Sequence, residues 1–230
     1  MKRPFIETLS LIYLQMKTNL LHGFEWGKDI FYYYPKISFA LTDIGLLTYS
    51  LCKNPFRISR QYIDKENEKG LVNLELFTYG ETPLTTMDLI VKECQITPQD
   101  HLLEMGSGRG RLSFWLSQVI GCEVTGVEAI PKLYQISKKI QDARKIKNLH
   151  FIEGDFFTYP LDSFTVIYLY GSCLTDEQIN QLTAHLKKTP PGTKVITVSY
   201  PLTDDAFKVM RVFNASFFWG EAQVFLNVRV

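Results

Sequence analysis

The chain has 230 residues, 46% of them hydrophobic, which is enough to bury the core of one α/β domain with an extension. Lys and Arg number 25 against 24 Asp and Glu, a formal charge of +1 that excludes a general electrostatic pull toward nucleic acid and leaves room only for a local patch. Cys52, Cys94, Cys122 and Cys173 are scattered without CxxC or metal-ligand spacing, so a reducing, cytoplasmic setting, buried small side chains and no metal site are expected.

Met1-Lys2-Arg3 precedes an apolar stretch, but Glu7 interrupts it and no small-x-small cleavage site follows, so no signal peptide is expected. Phe5, Leu9, Ile12, Tyr13, Met16 and Leu20 recur at helical spacing and predict an amphipathic helix. A second apolar stretch, Ile37 to Cys52, carries Asp43 and is short for a bilayer, so it is expected to be a packed helix. Phe31-Tyr32-Tyr33-Tyr34-Pro35 and Lys53 to Tyr62 interleave aromatic with basic residues, a pattern able to serve an acidic partner, a peripheral membrane contact or nucleic acid. The plainer expectation is that the aromatics pack on the main domain while the basic residues face water. Asp64 to Gly70 reads as an exposed loop that hands a helical extension, residues 1–75, over to the domain of residues 76–230.

From there the pattern is regular. Thr82 as N-cap and Pro83 in the first turn predict a helix from Pro83 to Ile96. A strand over 101–105, a helix from about Arg109 to Val119, a strand from Cys122 to Glu128 and a helix from Pro131 to about Lys145 follow. Strand 149–154, strand Phe164 to Tyr170, helix Asp176 to Lys188 and strand Lys194 to Tyr200 continue the alternation of a parallel α/β sheet. Val209 to Trp219 and Ala222 to Val230, separated by Gly220-Glu221, read as a closing antiparallel hairpin.

The chemistry concentrates at the ends of these strands. His101-Leu102-Leu103-Glu104-Met105 runs into Gly106-Ser107-Gly108-Arg109-Gly110, an apolar strand ending in a carboxylate and three alternating glycines. Such glycines permit positive φ and close approach of a ligand, and the following helix offers free N–H groups. A G-x-G-x-x-G dinucleotide fingerprint would need a small residue where Arg111 stands, which weakens a nicotinamide reading. Glu128, ending the second strand about twenty residues after the glycines, is placed to accept from a ribose diol.

The observed E-x-G-x-G-x-G resembles the first motif of class I S-adenosylmethionine (SAM)-dependent methyltransferases. That resemblance implies a doubly wound, mostly parallel seven-stranded sheet, the Rossmann-like methyltransferase fold, with the antiparallel hairpin at its carboxyl end. It implies SAM as cofactor, with Gly106, Ser107, Gly108 and Gly110 in the binding turn and Glu104 near the methionine amine. Asp155 would accept from the adenine amino group and Phe156 would pack on the ring. Tyr79-Gly80-Glu81-Thr82 resembles the YGET loop of the Dot family of histone lysine methyltransferases. By that resemblance Thr82 contacts the methionine carboxylate or amine, Glu81 orders the loop and Tyr79 walls the cofactor. Val166 to Cys173 and Pro191 to Ile196 also look like the seven-stranded lysine methyltransferases of mitochondrial proteins.

The Asn/Asp-Pro-Pro-Tyr motif of amide and adenine N-methyltransferases is absent, Tyr170-Gly171-Ser172 standing at that point, so those acceptors are disfavoured. Methyl transfer depends largely on positioning. An aromatic channel favours the neutral form of an amine. Tyr79, Glu81 and Tyr170 are accordingly the expected catalytic residues, with Tyr200 nearby. No general base is named: Glu81 and His101 are possible, but His101 begins a strand and reads as structural. A protein lysine acceptor leads narrowly, a small-molecule or lipid-like acceptor follows, and a non-catalytic SAM-binding or membrane-docking module is the third reading. Oligomeric state is left open by the sequence.

Overall fold

A computed structural model describes residues 23–71 and 74–230, apart from the side chains of 51 and 52. The helix expected over Phe5 to Leu20 and the burial expected of Cys52 lie outside the described residues. Residues 23–33 are helical (α1), followed by α2 (Ile37–Cys52), α3 (Pro55–Glu68), a 3₁₀ turn at Leu74–Phe77 and α4 (Leu84–Glu93). Then come β1 (His101–Met105), α5 (Arg111–Trp115) continued as a π turn to Ile120, β2 (Glu123–Glu128), α6 (Pro131–Arg144) and β3 (Leu149–Glu153). The chain ends with β4 (Val166–Leu169), α7 (Asp176–Leu186), β5 (Lys194–Val198), β6 (Phe207–Phe217) and β7 (Gly220–Arg229).

The seven strands form one sheet in the order β3-β2-β1-β4-β5-β7-β6. The first five in that order are parallel, while β7 runs antiparallel to β5 and β6 antiparallel to β7. The sheet reverses its strand order beside β1, where an α/β sheet opens a crevice at the carboxyl ends of its strands. β4 is buried along its whole length, as a strand covered on both faces requires. Side chains alternate between two cores: Leu102, Val124 and Tyr168 join Trp115 and Leu133 on one face, and Leu103, Val127 and Ile167 join Leu182 and Leu186 on the other. Tyr33, Phe39, Leu46 and Ile58 bring α1, α2 and α3 into the first of these cores. At the free edge, the β6–β7 register shifts between Val209 and Arg211.

Four expectations are corrected. Cys94 and Cys122 are buried as expected, but Cys173 is exposed. The charged run from Asp64 is not a loop as far as Glu68: α3 continues through it, started by Pro55 and by Asn54, whose side chain accepts from the N–H groups of Phe56 and Arg57. Asp64, Lys65 and Glu68 form the solvated face of this helix, while Glu66, like Ile58 and Ser59, is buried. Thr82 is not the N-cap of α4, because Pro83 occupies that position and makes no side-chain cap bond. The aromatics divide rather than pack as a group: Tyr33 meets Trp115 edge-on at 5.4 Å, whereas Phe31, Tyr32 and Phe56 are exposed. Lys53, Arg57 and Arg60 face water as expected. No described helix is long and apolar enough to cross a membrane.

Candidate functional site

β1 ends in a turn that passes through left-handed backbone at Gly106, Gly108 and Gly110, with φ of 79°, 57° and 81°. A Cβ on Gly108 would stand 2.8 Å from Cε2 of Tyr79, so the tyrosine ring rests on the turn. Gly110 lines neither cavity described below; a Cβ there would stand 2.4 Å from Cζ of Phe151, and its bareness lets α5 lie against the sheet. Ser107 fits against Gly126, and its buried hydroxyl has no hydrogen-bond partner among the described residues.

Over this turn opens a cavity of about 630 Å³. Gly106, Gly108, Glu128, Asp155 and Phe156 line one side, Tyr79 and Gly80 cover it, and Leu169 to Leu174 with Trp219 form the other wall. A smaller adjoining cavity of about 30 Å³ collects Glu81, Thr82, Glu104, Ser107 and Tyr168. Every site residue expected from the sequence except Gly110 therefore borders one of two neighbouring spaces. Among the described residues no cluster of His, Cys, Asp and Glu is arranged to hold a metal.

Glu128 accepts from the N–H of Gly108 at 2.7 Å with one oxygen and from the N–H of Ile130 at 2.7 Å with the other. Each oxygen keeps a lone pair for a further donor, such as one hydroxyl of a diol. Burial raises its pKa against these backbone hydrogen bonds. Asp155 accepts from the N–H of Phe157 at 2.9 Å, while Phe156 stacks on Phe157 at 4.8 Å. Glu104 is buried and takes a hydrogen bond from the Ser113 hydroxyl; burial nonetheless pushes its carboxyl up to about 8. An acid held so far from its ordinary range, beside a small polar cavity, suits a cationic ligand group that would ionise it.

The segment Tyr79–Thr82 is held from three directions. Tyr79 N–H donates to the Ser59 hydroxyl of α3 at 3.2 Å, and Thr82 shares a 2.6 Å hydrogen bond with the Tyr168 hydroxyl of β4. Glu81 is forked by Arg109 at 2.5 and 3.0 Å and also accepts from the Tyr79 hydroxyl. Burial alone would raise the Glu81 carboxyl, but the guanidinium overrides this and holds it at about 2. Glu81 is thus a fixed anion within an ion pair, a poor base. His101 stands at the opposite end of β1 from the cavity, its ring against Phe164 and the Ser163 carbonyl.

Tyr170 lies one residue past β4, over Gly80, where a Cβ would stand 2.8 Å from its ring. Its hydroxyl accepts from Trp219 Nε1 at 2.6 Å, and burial lifts its pKa to about 12. Phe217 stacks on Trp219 at 5.7 Å and meets Tyr170 at 5.4 Å, so the closing hairpin contributes an aromatic rim. Sequence reasoning missed Trp219, Tyr168 and both arginines of the glycine turn. Arg111 makes a two-point pair with Asp43 at 2.8 Å and reaches Asp29 at 2.9 Å, both on the amino-terminal helices. The available signal was two arginines alternating with glycines at the start of an apolar helix.

Residues 104–207 match the family described as ANTKMT methyltransferase domain. Over 211 residues the chain is 25% identical to the histone-lysine N-methyltransferase, H3 lysine-79 specific, of Dictyostelium discoideum, a match that covers 85% of this chain. The chain spans only 10% of that relative's length. Among solved structures it resembles an RNA methyltransferase from Salinibacter ruber in complex with S-adenosyl-L-homocysteine (SAH), with a TM-score of 0.55 and 22% identity over 65% of this chain and 94% of that one. It also resembles a variant of MtNAS in complex with S-adenosylmethionine, with a TM-score of 0.55 and 15% identity over 76% of this chain and 72% of that one. These two likenesses establish the fold. With the sheet order, the cavity at its crevice and the matched domain family together, the chain carries a class I SAM-dependent methyltransferase domain.

Proposed function

We propose that the protein transfers the methyl group of SAM to a lysine side chain of a protein. In this reading the cofactor lies across the carboxyl ends of β1 to β3. Glu128 accepts from the ribose hydroxyls, Asp155 from the adenine amino group, and Phe156 packs on the ring. Gly106 and Gly108 let the backbone approach, Glu104 faces the methionine ammonium, and Thr82 holds the methionine end. Bound there, SAM supplies an electrophilic methyl group on a sulfonium.

The chain's own residues then position and desolvate the acceptor. Tyr79 and Tyr170 wall the passage, and an apolar aromatic surround favours the neutral amine over the ammonium. Orientation at close range supplies much of the remaining acceleration. The observation that carries the lysine reading is the rim of Tyr170, Phe217 and Trp219 beside the cavity, a passage suited to a long aliphatic amine. The Dictyostelium relative, a histone-lysine N-methyltransferase, agrees with it.

The test is a methyl-transfer assay with labelled SAM against histones and other lysine-rich proteins, followed by hydrolysis to amino acids. Label in methyl-lysine supports the proposal. Label only in low-mass or lipid-like acceptors moves the reading to the small-molecule class. SAM binding without transfer to any acceptor, with liposome binding lost on substitution of Lys53, Arg57 and Arg60, identifies a docking module. The exposed Phe56, next to Arg57 on α3, favours that last arrangement as a peripheral contact.

A further inference from the structure

Two segments distant in sequence meet on one guanidinium. Arg109 sits inside the glycine turn and is 8% exposed. Its Nε and Nη2 fork onto Glu81, while Nη1 donates to the Ser50 hydroxyl of α2 at 2.5 Å. The Leu46 carbonyl of α2, 3.5 Å from Nη1, itself accepts from Ser50 at 2.9 Å. Glu81 in turn receives the Tyr79 hydroxyl, and the Tyr79 ring rests on Gly108, the neighbour of Arg109. The contacts close a loop: the turn beneath the cavity carries the side chain that fixes the cover above it.

We infer that Arg109 is a positioning residue that fastens the Tyr79–Thr82 strap over the cofactor cavity and ties it to α2, making the amino-terminal helix part of the closing device. The strap needs such a fastening because no backbone-to-backbone hydrogen bond among the described residues involves 79–82. Side chains alone hold it. A buried ion pair adds little net stability over a well-packed apolar replacement, but it imposes one geometry, and a planar fork imposes it more strictly than an ammonium. The connection to cofactor binding rests on the placement proposed above.

The experiment measures hydrogen exchange across the ligand-free full chain and titrates SAH into the wild type and into Arg109→Met, Arg109→Lys and Ser50→Ala. Arg109→Met is expected to speed exchange in residues 78–82 and 46–50 by about tenfold or more, to leave β5 and β7 unchanged, and to weaken SAH binding by about tenfold. Arg109→Lys is expected to recover part of both effects. Adding Glu81→Gln to Arg109→Met is expected to cost less than the two single effects combined, as for residues acting together. Unchanged exchange at 78–82 in folded Arg109→Met, or acceleration spread evenly over the sheet, overturns the inference. If Arg109→Met does not fold, Ser50→Ala decides: faster exchange at 78–82 supports the tie to α2, and unchanged exchange refutes it. Wild-type protein that binds no SAH removes the cofactor placement, while the exchange data still decide whether Arg109 fastens the strap.

Discussion

The hydroxyls of Thr82 and Tyr168 stand 2.6 Å apart in a buried position, joining the segment before α4 to the middle of β4. Removing either leaves the other without its partner, which costs about 1–3 kcal/mol. Thr82→Val and Tyr168→Phe are therefore each expected to lower stability in urea titrations, and the double variant to lose less than their sum. Thr82→Val is also expected to reduce methyl transfer more than its stability loss explains. Equal loss of both would reduce Thr82 to a packing role.

Glu104 gives the ligand-free protein a pH dependence. Burial holds its carboxyl at about 8 against an ordinary value of 4.5. Between those values the folded state binds more protons than the unfolded state, so this group's effect is loss of stability as pH rises from about 4.5 to 8. Melting temperatures measured across this window are expected to show the slope, and Glu104→Gln to flatten it. Because a ligand ammonium favours the ionised acid, SAH binding at pH 7 is expected to release protons, seen as a buffer-dependent binding heat that Glu104→Gln abolishes.

The pair of Arg111 and Asp43 predicts a large single-site effect. The Asp43 side chain is fully buried and that of Arg111 is 9% exposed, so removing the guanidinium strands Asp43 and Asp29 together, whereas removing the Asp43 charge leaves Arg111 its bond to Asp29. Arg111→Met is expected to cost about 3–5 kcal/mol in denaturant titrations, and Asp43→Asn less. A change below 1 kcal/mol would mean that water reaches the pair.

Two glycines of similar backbone conformation separate strain from crowding. Gly110 has φ of 81° and would crowd Phe151 with a Cβ at 2.4 Å, whereas Gly121 has φ of 93° and no atom of the described residues within 4 Å of a Cβ. Gly121→Ala is expected to cost about 1–2 kcal/mol for left-handed backbone, and Gly110→Ala a further 1–3 kcal/mol or so for overpacking. Guanidinium titration of both variants checks the difference, and equal losses would show that Phe151 yields freely.

Local pattern accounts for the elements the sequence reveals. The glycines after β1, the acids closing β1 and β2, and the turn at Gly220 each announce themselves within a few residues. The loop expected from Asp64 failed because a charged helical face and a solvated loop share a composition, and only Asn54 and Pro55, ten residues earlier, distinguish them. Arg109 looked like a spacer between glycines and Arg111 like no more than a break in the dinucleotide fingerprint, because their partners Glu81, Ser50, Asp43 and Asp29 lie 28 to 82 positions away. Trp219 similarly reaches Tyr170 across 49 positions, a contact set by the returning hairpin.

The register shift in β6 bears on how this domain behaves among its own copies. β6 is an outermost strand, and between Val209 and Arg211 it carries an extra residue, Met210, that the ladder with β7 leaves unmatched. Such an insertion bends the rim and spoils the even spacing of its outward N–H and C=O groups, while Lys208 is exposed along it and Arg211 is tied to Glu93. An incoming strand would meet two shorter runs, Phe207 to Val209 and Arg211 to Phe217, in place of one even edge of eleven residues, which weakens the template for chain-to-chain sheet growth.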